Sequence, residues 1–120
     1  MSSTPRSRWP GWVYGVGEEP DPRFSLANER TFLAWIRTSL AFVAGGVAVD
    51  AVDLGLDDGV RTPLAILLVV LGIVCAVASW ARWARTERAL RRSAPLPGSP
   101  LGVVVALGLV VASLVVLASL

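Results

Sequence analysis

Histidine and lysine are absent from this 120-residue chain, and cysteine and methionine occur once each. Without histidine, and with Cys75 alone inside an apolar run, the usual zinc sites, a cysteine–histidine nucleophile pair and an intrachain disulfide framework are excluded. We therefore expect no metal and no cofactor. All eleven basic residues are arginines. A GC-rich genome explains this bias, and bidentate binding of phosphate or carboxylate groups is the alternative interpretation.

Charged residues are also missing from two long stretches, 62–81 and 93–120, and the apolar stretch 31–49 contains only Arg37. About 20 apolar residues in a helix span the hydrocarbon core of a bilayer. Helices without a polar face cannot form a soluble bundle of this size. We predict an all-α integral membrane protein in contact with the lipid bilayer, with three transmembrane helices at about 31–49, 63–81 and 101–120.

The polar segment 1–22 precedes the predicted membrane domain, 23–120. It is rich in Pro and Gly, and we expect it to be irregular. Its aromatic residues, Trp9, Trp12 and Tyr14, are expected either to rest at a membrane interface or to belong to a disordered tail. No apolar run lies near the start, so no cleavable signal peptide is expected.

The predicted helix ends follow from capping residues and prolines. Either Ser25 or Asn28 is expected to cap the first helix. Thr62-Pro63 and Ser99-Pro100 each place a capping hydroxyl before a proline, which is typical of a helix start. The second helix is expected to continue to about Leu90.

Charge predicts the topology. Ten arginines and five acidic residues lie on one side, in the N-terminal segment, the start of the first predicted span and the second connection, whereas the opposite connection holds Arg61 and four aspartates. The formal net charge of +2 therefore divides into +5 on one side and −3 on the other. By the positive-inside rule the first side is cytoplasmic, which places the N-terminus inside and the C-terminus outside.

The first span has a narrow basic stripe. At about 100° per residue, Arg30 and Arg37 share a helix face with the small residues Ala34, Ala41 and Gly45. Small residues allow a second helix to come close, so this stripe is expected to face protein or water. Two interpretations of Arg37 stay open: its side chain snorkels to the headgroups, or a ring of such arginines in an oligomer lines a pore that selects anions.

The second span has its own small stripe, with Ala65, Gly72, Ala76 and Ser79. The arginines that follow the span are expected to form a solvated collar that binds lipid phosphates. Glu29 lies early in the first helix, where a carboxylate is favoured. Its alternative role is an ion pair with Arg85 or Arg88.

The run Phe24-Ser-Leu-Ala-Asn-Glu-Arg-Thr-Phe-Leu-Ala-Trp-Ile-Arg-Thr38 resembles the signature of the YidH-like bacterial inner-membrane proteins, a family of unknown function. The resemblance extends to Gly45-Gly46, Asp50 and residues 82–90, and it covers about residues 19–120. It implies a three-span protein of the bacterial cytoplasmic membrane.

The same signature is similar to the membrane domain of the eukaryotic vacuolar transporter chaperone complex. There, a three-helix unit assembles around a polyphosphate-conducting pore lined by basic residues. That resemblance implies a basic position at Arg23, a Glu-Arg pair at Glu29 and Arg30, and basic positions among Arg82, Arg85 and Arg88. The sequence has no cytosolic polymerase domain, and its segment 95–98 departs from that complex.

Together these observations predict a homo-oligomeric membrane protein whose Arg-rich mouth handles an anion, as a channel or transport component. The predicted anion-binding or pore-lining residues are Arg23, Arg30, Arg37, Arg82, Arg85 and Arg88, and the predicted structural or ion-pairing residues are Asn28 and Glu29. The alternative is a non-conducting scaffold or accessory subunit that binds another membrane protein or anionic lipid. We expect no enzyme, since no nucleophile–base pair is visible, and no nucleic-acid partner.

Overall fold

The computed structural model describes residues 8–120, which fold into four helices and no strands. A short helix, α1 (Gly11–Tyr14), precedes three long ones: α2 (Pro22–Ala51), α3 (Asp58–Arg91) and α4 (Leu101–Ala118). The molecule is elongated, with principal extents of 63 × 24 × 20 Å. All three long helices are long and apolar enough to cross a membrane, which confirms the predicted three-span all-helical fold.

The start of α2 differs from the prediction. Asp21 caps the helix, because its carboxylate accepts the Arg23 backbone N–H at 2.9 Å and Pro22 occupies the first helical position. A proline there loses no helical hydrogen bond and has a suitable φ. The predicted caps, Ser25 and Asn28, were therefore wrong, and both lie inside the helix.

The start of α3 also differs. The helix begins at Asp58, where Asp58 pairs with Arg61 at 2.7 Å. Pro63 lies inside the helix rather than at its first position, so the predicted start at Thr62-Pro63 was wrong. Near a helix start a proline disturbs few hydrogen bonds. The predicted continuation of this helix to about Leu90 is confirmed.

The start of α4 at Leu101 agrees with the predicted third span, but Pro100 is the N-cap residue instead of the first helical residue, so the predicted cap at Ser99 was wrong by one position. The Ser99 hydroxyl accepts the Leu101 backbone N–H at 3.2 Å. The end of the bundle that holds residues 8–21 and the α3–α4 connection is called the Arg-rich end below. The opposite end, with the connection between α2 and α3, is called the acidic end.

Small residues bring α2 and α3 close together. A Cβ on Gly72 would lie 2.5 Å from Val43 Cγ2 and 2.9 Å from the Ser39 carbonyl oxygen. A Cβ on Gly46 would lie 2.9 Å from the Ala65 carbonyl oxygen. The Ser39 hydroxyl donates to the Gly72 carbonyl at 2.6 Å. The two backbones are therefore too close for side chains at these positions.

The predicted small stripe of α3 lies at this contact, where Ala65, Gly72 and Ser79 are buried. The predicted stripe of α2 lies mostly outside the face that α2 buries, although its Gly45 is next to α3, where an added Cβ would lie 3.8 Å from Leu68 Cδ1. Its exposed members are Arg30, Ala34, Arg37 and Ala41. The prediction that this stripe faces protein or water stays a prediction, because the stripe takes no part in the close backbone contact between α2 and α3. Ser39 and Gly46 provide the small surface instead.

The helix α4 packs on α3 much less extensively than α2 does. Gly108 admits the Leu71 side chain, since a Cβ there would lie 2.6 Å from Leu71 Cδ1. At the acidic end, Ala112 joins a small apolar cluster with Val49, Leu64 and Ala65. Most of the remaining α4 surface is exposed and apolar, as expected of a helix surrounded by lipid.

Candidate functional site

Arg91 is a buried charged residue at the Arg-rich end, with a side chain that is 2% exposed. Its Nη1 donates to Glu19 Oε1 at 2.6 Å, its Nε to the Val16 carbonyl at 2.9 Å and its Nη2 to the Tyr14 carbonyl at 3.1 Å. One guanidinium therefore holds residues 14–19 against the end of α3.

The backbone completes this attachment. Gly17 has a φ of +60°, and a Cβ there would overlap the Arg91 carbonyl group. The next residue, Glu18, donates its backbone N–H to the Arg91 carbonyl at 2.9 Å. A glycine is required here by both the positive φ and the close approach.

Aromatic rings attach the earlier part of the segment. Trp9 stacks on Trp80 with ring centroids 5.9 Å apart. The guanidinium of Arg88 lies 4.6 Å from the Trp12 ring centroid and also donates to the Trp12 carbonyl. Residues 8–21 contain the short helix α1 and otherwise no regular secondary structure, and they pack on α3, whereas Pro22, the last residue of the predicted segment, begins α2. Residues 1–7 of the predicted segment lie outside the described residues.

A polar network joins the Arg-rich halves of α2 and α3. Glu87, only 4% exposed, accepts the Ser25 hydroxyl at 2.9 Å and the Asn28 amide Nδ2 at 3.2 Å. The same Nδ2 donates to the Trp83 carbonyl at 3.1 Å. Asn28 therefore connects α2 to α3 from inside the helix instead of capping it, and Glu87 was not among the predicted site residues.

The predicted arginines do not form one cluster. Arg23 is exposed and pairs with Asp21 at 2.9 Å, Arg85 is exposed, and Arg88 holds Trp12. Arg82 is half-buried and forms no ion pair within residues 8–120.

Arg30 and Arg37 are exposed on α2, and neither forms a salt bridge within the described part of the chain. Glu29 is also exposed, and the ion pair considered with Arg85 or Arg88 does not form among residues 8–120.

Arg91 was missed because it looks like one more member of a surface collar. A signal for it exists in the sequence. Ser79, Trp83, Glu87 and Arg91 are spaced by four, so Arg91 continues the buried side of α3 beyond the apolar span. Nothing in that pattern identifies Glu19 as its partner.

Two ionisable groups of the N-terminal segment respond to these contacts. The hydrogen bond from Arg91 lowers the pKa of the Glu19 carboxyl below its ordinary 4.5, against the opposing effect of burial, and Arg8 lowers it further. Burial, followed by the nearby Glu87 carboxylate, raises the pKa of Tyr14 above its ordinary 10.0. No group of three or more His, Cys, Asp or Glu side chains that could hold a metal ion occurs in residues 8–120.

A family model described as a domain of unknown function, DUF202, matches residues 23–89. This chain belongs to the DUF202 family. The match covers α2 and nearly all of α3, the two helices that share the glycine contact and the Glu87 network, and it ends before α4.

Curated relatives extend the likeness beyond those two helices. The chain is 46% identical to the uncharacterized protein Rv2272 of Mycobacterium tuberculosis over 101 residues, which is 83% of each chain. It is 44% identical to the inner membrane protein YidH of Escherichia coli over 104 residues, which is 85% of this chain and 90% of that protein. No solved structure matches the chain.

Proposed function

We propose that this DUF202 protein is a homo-oligomeric anion channel or transport component of the bacterial inner membrane, in which α2 faces of neighbouring chains line the route. The observation that carries the proposal is the exposure of Arg30 and Arg37 on one stripe of an apolar helix. The relative YidH is named an inner membrane protein, which supports the bacterial inner membrane as the location of this chain.

The energetic argument concerns Arg37. It lies about 10 Å further along the helix than Arg30. An arginine costs about 2.5–3.5 kcal/mol to insert at mid-membrane and less nearer the interface, where Arg37 lies. No acidic side chain in residues 8–120 forms a salt bridge with it. Exposure to lipid would leave this cost uncompensated unless the side chain snorkels, whereas a route between protomers provides water and anions.

The packing of the chain explains why an oligomer is needed. The backbones of α2 and α3 touch at Gly46 and Gly72, so these two helices leave no passage between them there. The exposed stripe around Arg30 includes Ala34 and Ala41, whose small side chains permit a second chain to approach.

We further propose that the Arg-rich end is cytoplasmic, because ten of the eleven arginines flank it and cytoplasmic loops carry the excess of basic residues. The sequence resemblance favours a polyphosphate-like compound as the transported anion. A simpler anion is the broader form of the proposal. Both are covered by testing inorganic phosphate and short polyphosphate separately.

The test is anion efflux from liposomes that contain the purified protein. We expect wild-type efflux of one probe, inorganic phosphate or short polyphosphate, and at least a tenfold loss with Arg37→Gln, since rings of charge control selectivity. Arg92→Gln is the matched control, because Arg92 is exposed beyond the end of α3 and its replacement removes the same charge. Absence of efflux with either probe, in protein shown to be folded and inserted, would favour the scaffold alternative.

A further inference from the structure

A cavity of about 280 Å³ lies at the Arg-rich end, between α2, α3 and the N-terminal segment. Its lining combines four aromatic rings with two carboxylates: Tyr14, Phe32, Trp80, Trp83, Glu29 and Glu87. None of the described residues that line it is an arginine, although ten of the eleven arginines flank this end. The volume exceeds the roughly 30 Å³ that one water occupies in the liquid, so a chemical group of several heavy atoms fits.

The aromatic rings are grouped around Trp83. Its ring centroid lies 6.2 Å from that of Trp80, 6.4 Å from that of Tyr14 and 6.5 Å from that of Phe32. The face of an aromatic ring attracts a cation that lies within about 6 Å of its centroid. Tyr14 already has such a cation, because the Arg8 guanidinium lies 4.3 Å from its centroid. The other three rings have none within residues 8–120.

Glu29 provides an accessible negative charge beside these rings. It is exposed and lines the cavity. It forms no salt bridge within the described part of the chain. A cationic ligand in the cavity can therefore contact this carboxylate directly.

Glu87 adds a second negative charge to the lining. It is only 4% exposed, and its carboxylate accepts two neutral donors, the Ser25 hydroxyl at 2.9 Å and the Asn28 amide at 3.2 Å. Among residues 8–120 no arginine forms a salt bridge with it. A ligand need not touch Glu87, since a charge in poorly hydrated surroundings acts over several ångströms. A buried charge without a counter-ion is costly, and a cation in the cavity reduces that cost.

The lining selects a ligand by both charge and polarity. Two carboxylates repel an anion. A small metal ion such as Ca²⁺ requires six or more oxygen ligands, and aromatic rings provide none. An organic ammonium group fits both features, because its alkyl groups contact the rings while its charge lies near a carboxylate.

We infer that this cavity binds an organic ammonium group, with the cation against the rings of Trp80 and Trp83 and with Glu29 as its counter-ion. Tryptophans at the end of an apolar stretch are typical of a membrane–water interface, so the group belongs either to a soluble amine or to a lipid headgroup. The site is separate from the Arg30 stripe and takes the opposite charge from the proposed channel, so each proposal can fail without the other.

The test is isothermal titration calorimetry of the purified full chain in a maltoside detergent, which has no charged headgroup. The probes are choline and its neutral isostere, in which a tert-butyl group replaces the trimethylammonium group. We expect choline to bind about tenfold more tightly, because only choline carries the charge that the rings and the carboxylate attract. Equal affinities, or no binding of choline, would overturn the inference without any mutation.

The contribution of the carboxylate is tested with two glutamates. Glu29→Gln should weaken choline binding about threefold, as expected for an exposed ion pair. Glu18→Gln is the matched control, because Glu18 is exposed at the same end and does not line the cavity. It should leave the affinity unchanged, and equal losses in the two variants would show a general electrostatic effect and overturn the inference.

The contribution of the rings is tested with two tryptophans. Trp80→Leu should weaken choline binding about fivefold through the lost cation–π contact. Trp35→Leu, outside the lining, should leave it unchanged, and equal losses would overturn the assignment of the cation to these rings. Circular dichroism and elution volume control for misfolding, and the comparison of choline with its isostere remains decisive if Trp80→Leu does not fold.

Two lipids added to the same micelles identify the source of the ammonium group. Phosphatidylcholine carries a trimethylammonium group and phosphatidylglycerol has none. Displacement of choline by phosphatidylcholine alone identifies a lipid headgroup, and displacement by neither lipid identifies a soluble amine, so both results support the inference. Equal displacement by the two lipids would show that the ammonium group is not recognised and would overturn it.

Discussion

The α2–α3 pair and α4 are held in different ways. The pair joins through backbone approach at Gly46 and Gly72 and through the Glu87 network. By contrast, α4 rests on α3 through apolar contacts such as Gly108 with Leu71. The DUF202 match ends at residue 89, before α4 begins. In this chain, α2 and α3 are therefore joined by backbone approach and polar contacts, whereas α4 is held by apolar side-chain contacts.

The largest expected effect comes from breaking the α2–α3 contact. Gly72→Ala adds a Cβ 2.9 Å from the Ser39 carbonyl oxygen, so the two helices must separate. We expect a loss of about 1–3 kcal/mol of stability, as for other overpacked sites, measured by thermal or denaturant unfolding in detergent.

Gly102→Ala in α4 is the control for that substitution, because no atom lies within 4 Å of the added Cβ. It should be neutral or slightly stabilising, since alanine favours a helix more than glycine by up to about 1 kcal/mol. Equal destabilisation by the two substitutions would show that the effect of Gly72→Ala does not come from the α2–α3 contact.

A smaller effect should follow from releasing the N-terminal segment. Arg91→Met removes the three hydrogen bonds to Tyr14, Val16 and Glu19 while keeping a long side chain. We expect faster cleavage by protease within residues 8–21, with unfolding of the pair changed by no more than about 1–3 kcal/mol. Arg92→Met, at an exposed neighbouring position, should leave cleavage unchanged, and the same acceleration in both variants would argue against the attachment.

The smallest effect is a pH dependence of the same segment. Since the folded pKa of Glu19 is below its ordinary 4.5, its contribution to stability is complete above that ordinary value. It is lost as the pH falls through the lower folded value. We expect protease cleavage of the segment to increase below about pH 4.5, and to do so less in Glu19→Gln, which no longer titrates there. A wild-type cleavage rate that does not change across this range would contradict the role of the Glu19–Arg91 pair.

The sequence was sufficient to predict the three spans, because charge-free length is a local property, and the end of α3, because the prolines that follow it cannot continue a helix. It was insufficient for the register of α2. Two pairs of small residues at helical spacing could each form the contact surface of α2, namely Ala34 with Ala41 and Ser39 with Gly46. Which pair is buried depends on how α3 packs, and the sequence of α2 does not determine this. The Arg91–Glu19 pair also could not be predicted from the sequence, since 72 residues separate its partners. No periodicity relates a residue in a loop to one at the end of a helix.

Disulfide cross-linking in native membranes tests the central claim most directly, namely that the Arg30 stripe faces another copy of the chain. In a Cys75→Ala background, Ala34→Cys and Ala41→Cys should give cross-linked dimers under oxidation, because disulfides require Cα atoms within about 7 Å. Leu107→Cys, exposed on α4, should remain monomeric. Monomers for both α2 variants, or equal cross-linking at Leu107, would contradict the proposed oligomer.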